Sequence, residues 1–190
     1  LMDHLPKTPS VPANGAPYPN GRLGQSLQQL ACLVKAAVGL DVAFTDVGGW
    51  DTHVQEMGQT AVLGQLPNLL RQFGDSLAAF TLDMGDRMQD IAIVTMSEFG
   101  RTAKENGNRG TDHGHANTMF VVGGDVHGGR IYGDWPGMEP EQLYEGRDLN
   151  VTTDFRTMLS ELVRKQMGNS QLNSVFPHFS AMKSRNILTV

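Results

Sequence analysis

Two short stretches concentrate the side chains able to do chemistry. The first is Gly48-Gly49-Trp50-Asp51-Thr52-His53; the second runs Ser97-Glu98-Phe99-Gly100-Arg101 and, after a polar loop, Gly110-Thr111-Asp112-His113-Gly114-His115. In an extended segment successive side chains alternate, so Asp51 and His53 point to one side and can grip the same ion; His113 and His115 share that spacing. Together with Glu98 and Asp112 they offer carboxylates and imidazoles in a mixture suited to zinc, manganese or iron, whereas calcium would take more oxygen ligands. Arg101 adds a guanidinium, whose paired donors fit the oxygens of phosphate, sulfate or a carboxylate.

Each piece has a plainer alternative. Asp-x-His in a loop can be a capped turn, Asp112 a turn former, Glu98 an acceptor for loop amides, and Arg101 a structural bridge to Glu98 or Glu105. The pieces share two features that favour a ligand set: they follow apolar runs, and glycines flank them. His4, His127 and His178 read as surface or structural histidines, and Trp50 and Trp135 as packing anchors.

The surrounding elements must bring these stretches together. Asp41 to Val47 and Asp90 to Met96 read as strands, with a helical stripe between them at Leu63, Leu66, Leu69, Leu70, Phe73, Leu77 and Phe80, interrupted by Gly64, Pro67 and Gly74. A crossover of that length joins parallel neighbours, right-handed, which puts both polar clusters at one edge of the sheet, where ligand sites form in open α/β sheets. A first helix is expected from Leu23 to a stop at Gly39, a third strand at Thr118 to Val122, and a short returning strand at Arg130 to Tyr132. A last helix is expected from near Thr153 to Gly168, with Phe155, Met158, Leu159, Leu162 and Val163 on one face. The expected architecture is α/β, a mostly parallel sheet flanked by helices, in a single domain over residues 22–190 behind a proline-rich extended lead-in over residues 1–21.

Size and composition narrow the function. At 190 residues there is material for one sizeable core, and 22 Gly with 9 Pro point to abundant loop. A net charge of −5 with scattered Lys and Arg lacks the basic footprint that nucleic acid requires. No apolar run approaches the roughly twenty residues of a membrane helix. The single cysteine, Cys32, excludes an internal disulfide and a multi-cysteine zinc site, and falls on the apolar face of the first helix. The opening residue Leu1 suggests a fragment or processed product.

Four motifs occur in the order of a known family. Gly49-Trp50-Asp51-Thr52-His53, Ser97-Glu98-Phe99-Gly100-Arg101-Thr102, Gly110-Thr111-Asp112-His113-Gly114, and Gly123-Gly124 with Gly128-Gly129-Arg130-Ile131-Tyr132-Gly133-Asp134-Trp135-Pro136 resemble the domain-of-unknown-function 1501 family of bacterial proteins. The resemblance implies an alkaline phosphatase-like fold, shared with sulfatases and cofactor-independent phosphoglycerate mutases, in which metal ions lie between strand ends. Carried over, Asp51 and His53 resemble a first metal-binding pair with shortened spacing. Glu98 stands where the Asp of an Asp-His pair would be, Phe99 stands where its His would be, and His113 or His115 resembles a later histidine ligand.

The activity so implied is metal-dependent hydrolysis of a small-molecule or sugar phosphate or sulfate ester, with zinc or manganese held among Asp51, His53, Glu98, Asp112, His113 and His115. Glu98 and Arg101 take the catalytic positions. No serine or threonine before residue 41 fits the superfamily's nucleophile, so the chain looks like a C-terminal half whose partner is the upstream half of the same protein. The resemblance also implies an exported, periplasmic location. Two other readings stand beside it: a catalytically decayed member kept as a binding or envelope-associated module, and a carbohydrate- or sulfate-binding protein using its glycine loops and Trp135.

Overall fold

Leu23, Leu27 and Ala31 recur at helical spacing and are buried together with Cys32 on one face of α1 (Arg22–Lys35). The helix ends before the expected Gly39, because the Ala37 amide turns back to the Val34 carbonyl and Ala37 takes a left-handed conformation. These observations come from a computed structural model that describes residues 10–60, 62–180 and 184–189. Pro6, Pro9 and His4 of the lead-in therefore lie outside the described residues.

The chain forms two compact units, one comprising residues 1–87 and 106–111, the other residues 88–105 and 112–190. In the first, α1 packs on α2 (Gln65–Met84), a single helix despite its Pro and Gly. Pro67 is tolerated because it sits in the first turn, where an amide has no intrahelical partner. The buried face of α2 is Ser76, Ala79, Phe80, Asp83 and Met84, while Leu70 stays 48% exposed. Burial of each of Leu23, Leu27 and Phe80 contributes about 2 kcal/mol.

The described part of the lead-in is pinned to this pair by one carboxylate. Asp83 accepts hydrogen bonds from the Ala13 amide (2.5 Å), the Tyr18 hydroxyl (3.0 Å) and the Lys35 ammonium. Residues 41–47, expected as the first strand, have no ladder partner among the described residues, and Phe44 is 90% exposed.

In the second unit, β1 (Ala92–Val94) pairs antiparallel with β4 (Val121–Gly123), Ala92 opposite Gly123. The pairing needs glycine at its end: a Cβ on Gly123 would overlap the Ile91 carbonyl, and one on Gly124 would overlap Gln89. β2 (Gly100–Arg101) pairs antiparallel with β3 (His113–Gly114). The pairings described are thus antiparallel and two-stranded, and a parallel pair is not among them. Residues 130–132 carry no strand; Ile131 is fully exposed and the Tyr132 hydroxyl donates to the His127 carbonyl (2.8 Å).

α3 (Phe155–Lys165) begins where the Asp154 carboxylate caps the Arg156 amide (2.9 Å). It buries Thr157, Met158, Ser160 and Glu161, a face rotated from the expected apolar stripe, and a short α4 (Leu172–Val175) follows. Glu161 draws the C-terminal segment onto the unit: its carboxylate accepts from the Ser184 hydroxyl and the amides of Arg185, Asn186 and Ile187. Among the described residues no helix is long and apolar enough to cross a membrane.

Candidate metal centre

Asp51 and His53 lie in an irregular loop of the first unit, between Gly48 and Glu56. Thr52 between them is buried (3% exposed), and its amide turns back to the Trp50 carbonyl (3.0 Å). Thr52 faces inward, while Asp51 and His53 turn their side chains outward. Their side chains meet there: His53 Nε2 lies 2.9 Å from Asp51 Oδ1, and both side chains are about half exposed, at 42% and 55%. Trp50 meets the Phe73 ring edge-on, the packing role expected of it.

The loop owes its shape to residues 106–111, which lie alongside it in the same unit. The Asn106 side-chain amide donates to the His53 carbonyl (3.0 Å), and the amides of Gln55 and Glu56 donate to the carbonyls of Asn108 and Arg109 (3.0 and 2.8 Å). The Thr111 amide donates to the Thr52 carbonyl (3.3 Å), and the Thr111 hydroxyl to the buried Glu56 carboxylate (2.8 Å). Glu56 is therefore committed to architecture.

In the second unit, β2 and β3 place Arg101 opposite His113. Cross-strand partners project from the same face of their ladder, so guanidinium and imidazole are neighbours by register. Glycine makes this approach possible, since a Cβ on Gly100 would overlap the Ala116 backbone and one on Gly114 the Arg101 carbonyl. The Phe99 ring stacks on the His113 imidazole (centroids 4.4 Å apart, planes within 4°), and the Arg101 guanidinium sits 4.9 Å from the same ring's centroid. His115 stacks in the same manner on Tyr144 (4.0 Å, 6°).

Phe99, which the motif comparison reads as a missing histidine, therefore has a positive role: it sets the plane of His113. Its own loop is fixed by Asn117, whose side chain donates to the Ser97 and Phe99 carbonyls (3.3 and 2.9 Å).

The structure thus pairs Asp51 with His53, and Arg101 with His113 around Phe99. Glu98 is exposed at the bend before β2. The Asp112 backbone continues the β2–β3 pairing, its carbonyl accepting from the Thr102 amide (2.9 Å), and its exposed carboxylate lies within the field of Arg147. Sequence reasoning missed Asn106, Asn117 and Tyr144. The pair Asn106-Gly107 signals a turn, but neither asparagine announces which carbonyl it will hold.

The motifs agree with what comparison finds. A family model described as a protein of unknown function, DUF1501, matches residues 11–175, and the chain belongs to that family. No curated protein and no solved structure matches the chain.

Proposed function

We propose that Asp51 and His53 supply ligands to a divalent transition metal, and that the chain is a metal-dependent hydrolase of phosphate or sulfate esters or the metal-binding half of one. The observation that carries this reading is the Asp51–His53 pair, an anionic oxygen and an imidazole nitrogen 2.9 Å apart at the surface. Two ligand bonds of about 2.0–2.1 Å at a tetrahedral angle put their donors roughly 3.3 Å apart, so a small rotation of either side chain suits both to zinc.

When bound, a divalent cation supplies Lewis acidity and positive charge where the oxygens of an ester gather negative charge. Asp51 contributes a hard anionic oxygen, and the His53 imidazole contributes neutral nitrogen once deprotonated. Phe99 fixes the plane of His113. Arg101, packed on the same ring, is the donor for a non-bridging oxygen of the phosphate or sulfate group. Glu98, Asp112 and His115 stand as further ligands or proton acceptors in the same proposal.

Elemental analysis of the purified protein, paired with a screen of phosphate and sulfate esters, tests the reading. It expects about one tightly bound transition metal per chain, and hydrolysis that Arg101→Ala and Glu98→Gln each depress by at least about tenfold. Protein purified without any tightly bound metal at neutral pH, and unable to take one up, would contradict it.

A further inference from the structure

We infer that the segment 106–111 is a positioning device for the His53 imidazole, with Asn106 and Gly110 as its two determining residues. The inference rests on the metal-binding reading above and adds to it the origin of the site's rigidity. His53 belongs to neither helix nor strand, yet a metal ligand must be held to within about 0.5 Å of its place. Something outside the loop has to fix its backbone.

Segment 106–111 does so on both sides of His53. Before it, the Thr52 carbonyl accepts from Thr111; after it, Gln55 and Glu56 donate to Asn108 and Arg109. At His53 itself the grip comes from the Asn106 side chain, which uses both halves of its amide. Nδ2 donates to the His53 carbonyl, while Oδ1 accepts from the amides of Asn108 and Gly110 (2.8 and 3.1 Å). An amide side chain carries a donor and a two-fold acceptor on separate atoms; aspartate would lack the donor and serine the reach.

Gly110 completes the fit. It is buried, and a Cβ added there would overlap the His53 carbonyl group and the Val54 nitrogen, so the two backbones approach as closely as only glycine allows.

The test titrates cobalt(II), followed by its visible absorption, into the wild-type chain and into Asn106→Ala, Gly110→Ala and Asn108→Ala. Backbone amide exchange at Gln55, Glu56 and Thr111 is measured in the same metal-free proteins. Loss of residues that orient metal ligands weakens affinity about tenfold to a hundredfold, so Asn106→Ala and Gly110→Ala should fall in that range and exchange faster at the three amides. Asn108→Ala keeps every backbone tie and should bind as wild type does. Asn106→Ala gives up three hydrogen bonds and should lose a few degrees of thermal midpoint while staying folded at the titration temperature, and it decides the matter alone if Gly110→Ala fails to fold.

Should both variants bind cobalt as tightly as wild type while the amides exchange faster, the positioning role is overturned and the metal site stands. A loss of affinity in Asn106→Ala that is accounted for by unfolding at the titration temperature overturns it as well. Failure of the wild type itself to bind cobalt removes the metal-binding reading and this inference with it.

Discussion

The loop Gly48–Glu56 in one unit and the segment Ser184–Thr189 in the other are both irregular, and they are held in opposite ways. The second is held by a carboxylate turned inward: Glu161, 6% exposed, takes the Ser184 hydroxyl and three consecutive amides at 2.5 to 3.0 Å. The first is held by backbone bonds from residues 106–111, and its own Asp51 carboxylate faces solvent beside an imidazole. A carboxylate surrounded by backbone donors is committed to the fold. Asp83, holding the lead-in, belongs with Glu161 in the committed class.

The hardest blow to that contrast would come from Asp83→Ala, which strands the largely buried Lys35 ammonium and frees Ala13 and Tyr18. Breaking a buried ion pair from one side costs about 3–5 kcal/mol, measurable by urea unfolding; a loss below about 1 kcal/mol would mean that Asp83 is not committed at all. Glu161→Ala should cost somewhat less, about 2–3 kcal/mol, since it takes the acceptor from the Arg185 and Ile187 amides but strands no buried opposite charge. Hydrogen exchange should show the Ile187 amide opening in that variant.

Acid should separate the two classes without mutation. Burial pushes the Glu161 carboxyl up, but the Ser184 hydroxyl and the three amides outweigh it and hold it below its usual 4.5; Asp83 is likewise held below 3.8 by Lys35, Ala13 and Tyr18 against its own burial. For a depressed carboxyl the stabilisation is complete above its unfolded value and is lost as pH falls through the folded one. Thermal midpoints should thus be flat above pH about 5 and fall below about 4. At the alkaline end, burial and then the Asp83 carboxylate raise the Tyr18 hydroxyl above its ordinary 10.0, so stability should decline as pH rises past that value. The smallest stability effect belongs to Asp51→Asn. An exposed pair contributes under about 1 kcal/mol, so unfolding should barely change while metal uptake is lost.

The sequence made local features legible and left non-local ones hidden. Helical spacing is a property of neighbouring residues, and it located α1, α2 and α3 to within a turn or so. Which face of α3 is buried depends on where Glu161 meets the C-terminal segment, a demand the apolar stripe does not encode. Residues 41–47 have the composition of a strand, but strand pairing requires a distant partner, and Val42 and Phe44 are exposed without one among the described residues. In the site, the two-residue spacing of Asp51 and His53 was enough to expect them on one side. Asn106 could not be found that way, because its contact with His53 spans 53 positions and runs from side chain to backbone. Phe99 read as an absent ligand because motif comparison registers identity, whereas its stacking on His113 is visible only in three dimensions.

Diffraction from crystals grown with zinc, collected on either side of the zinc absorption edge, tests the central claim most directly. An anomalous peak bonded to Asp51 Oδ and His53 Nε2 is expected, absent from crystals of Asp51→Asn. A map without a peak there, or with the ion bound only by other residues, would contradict it.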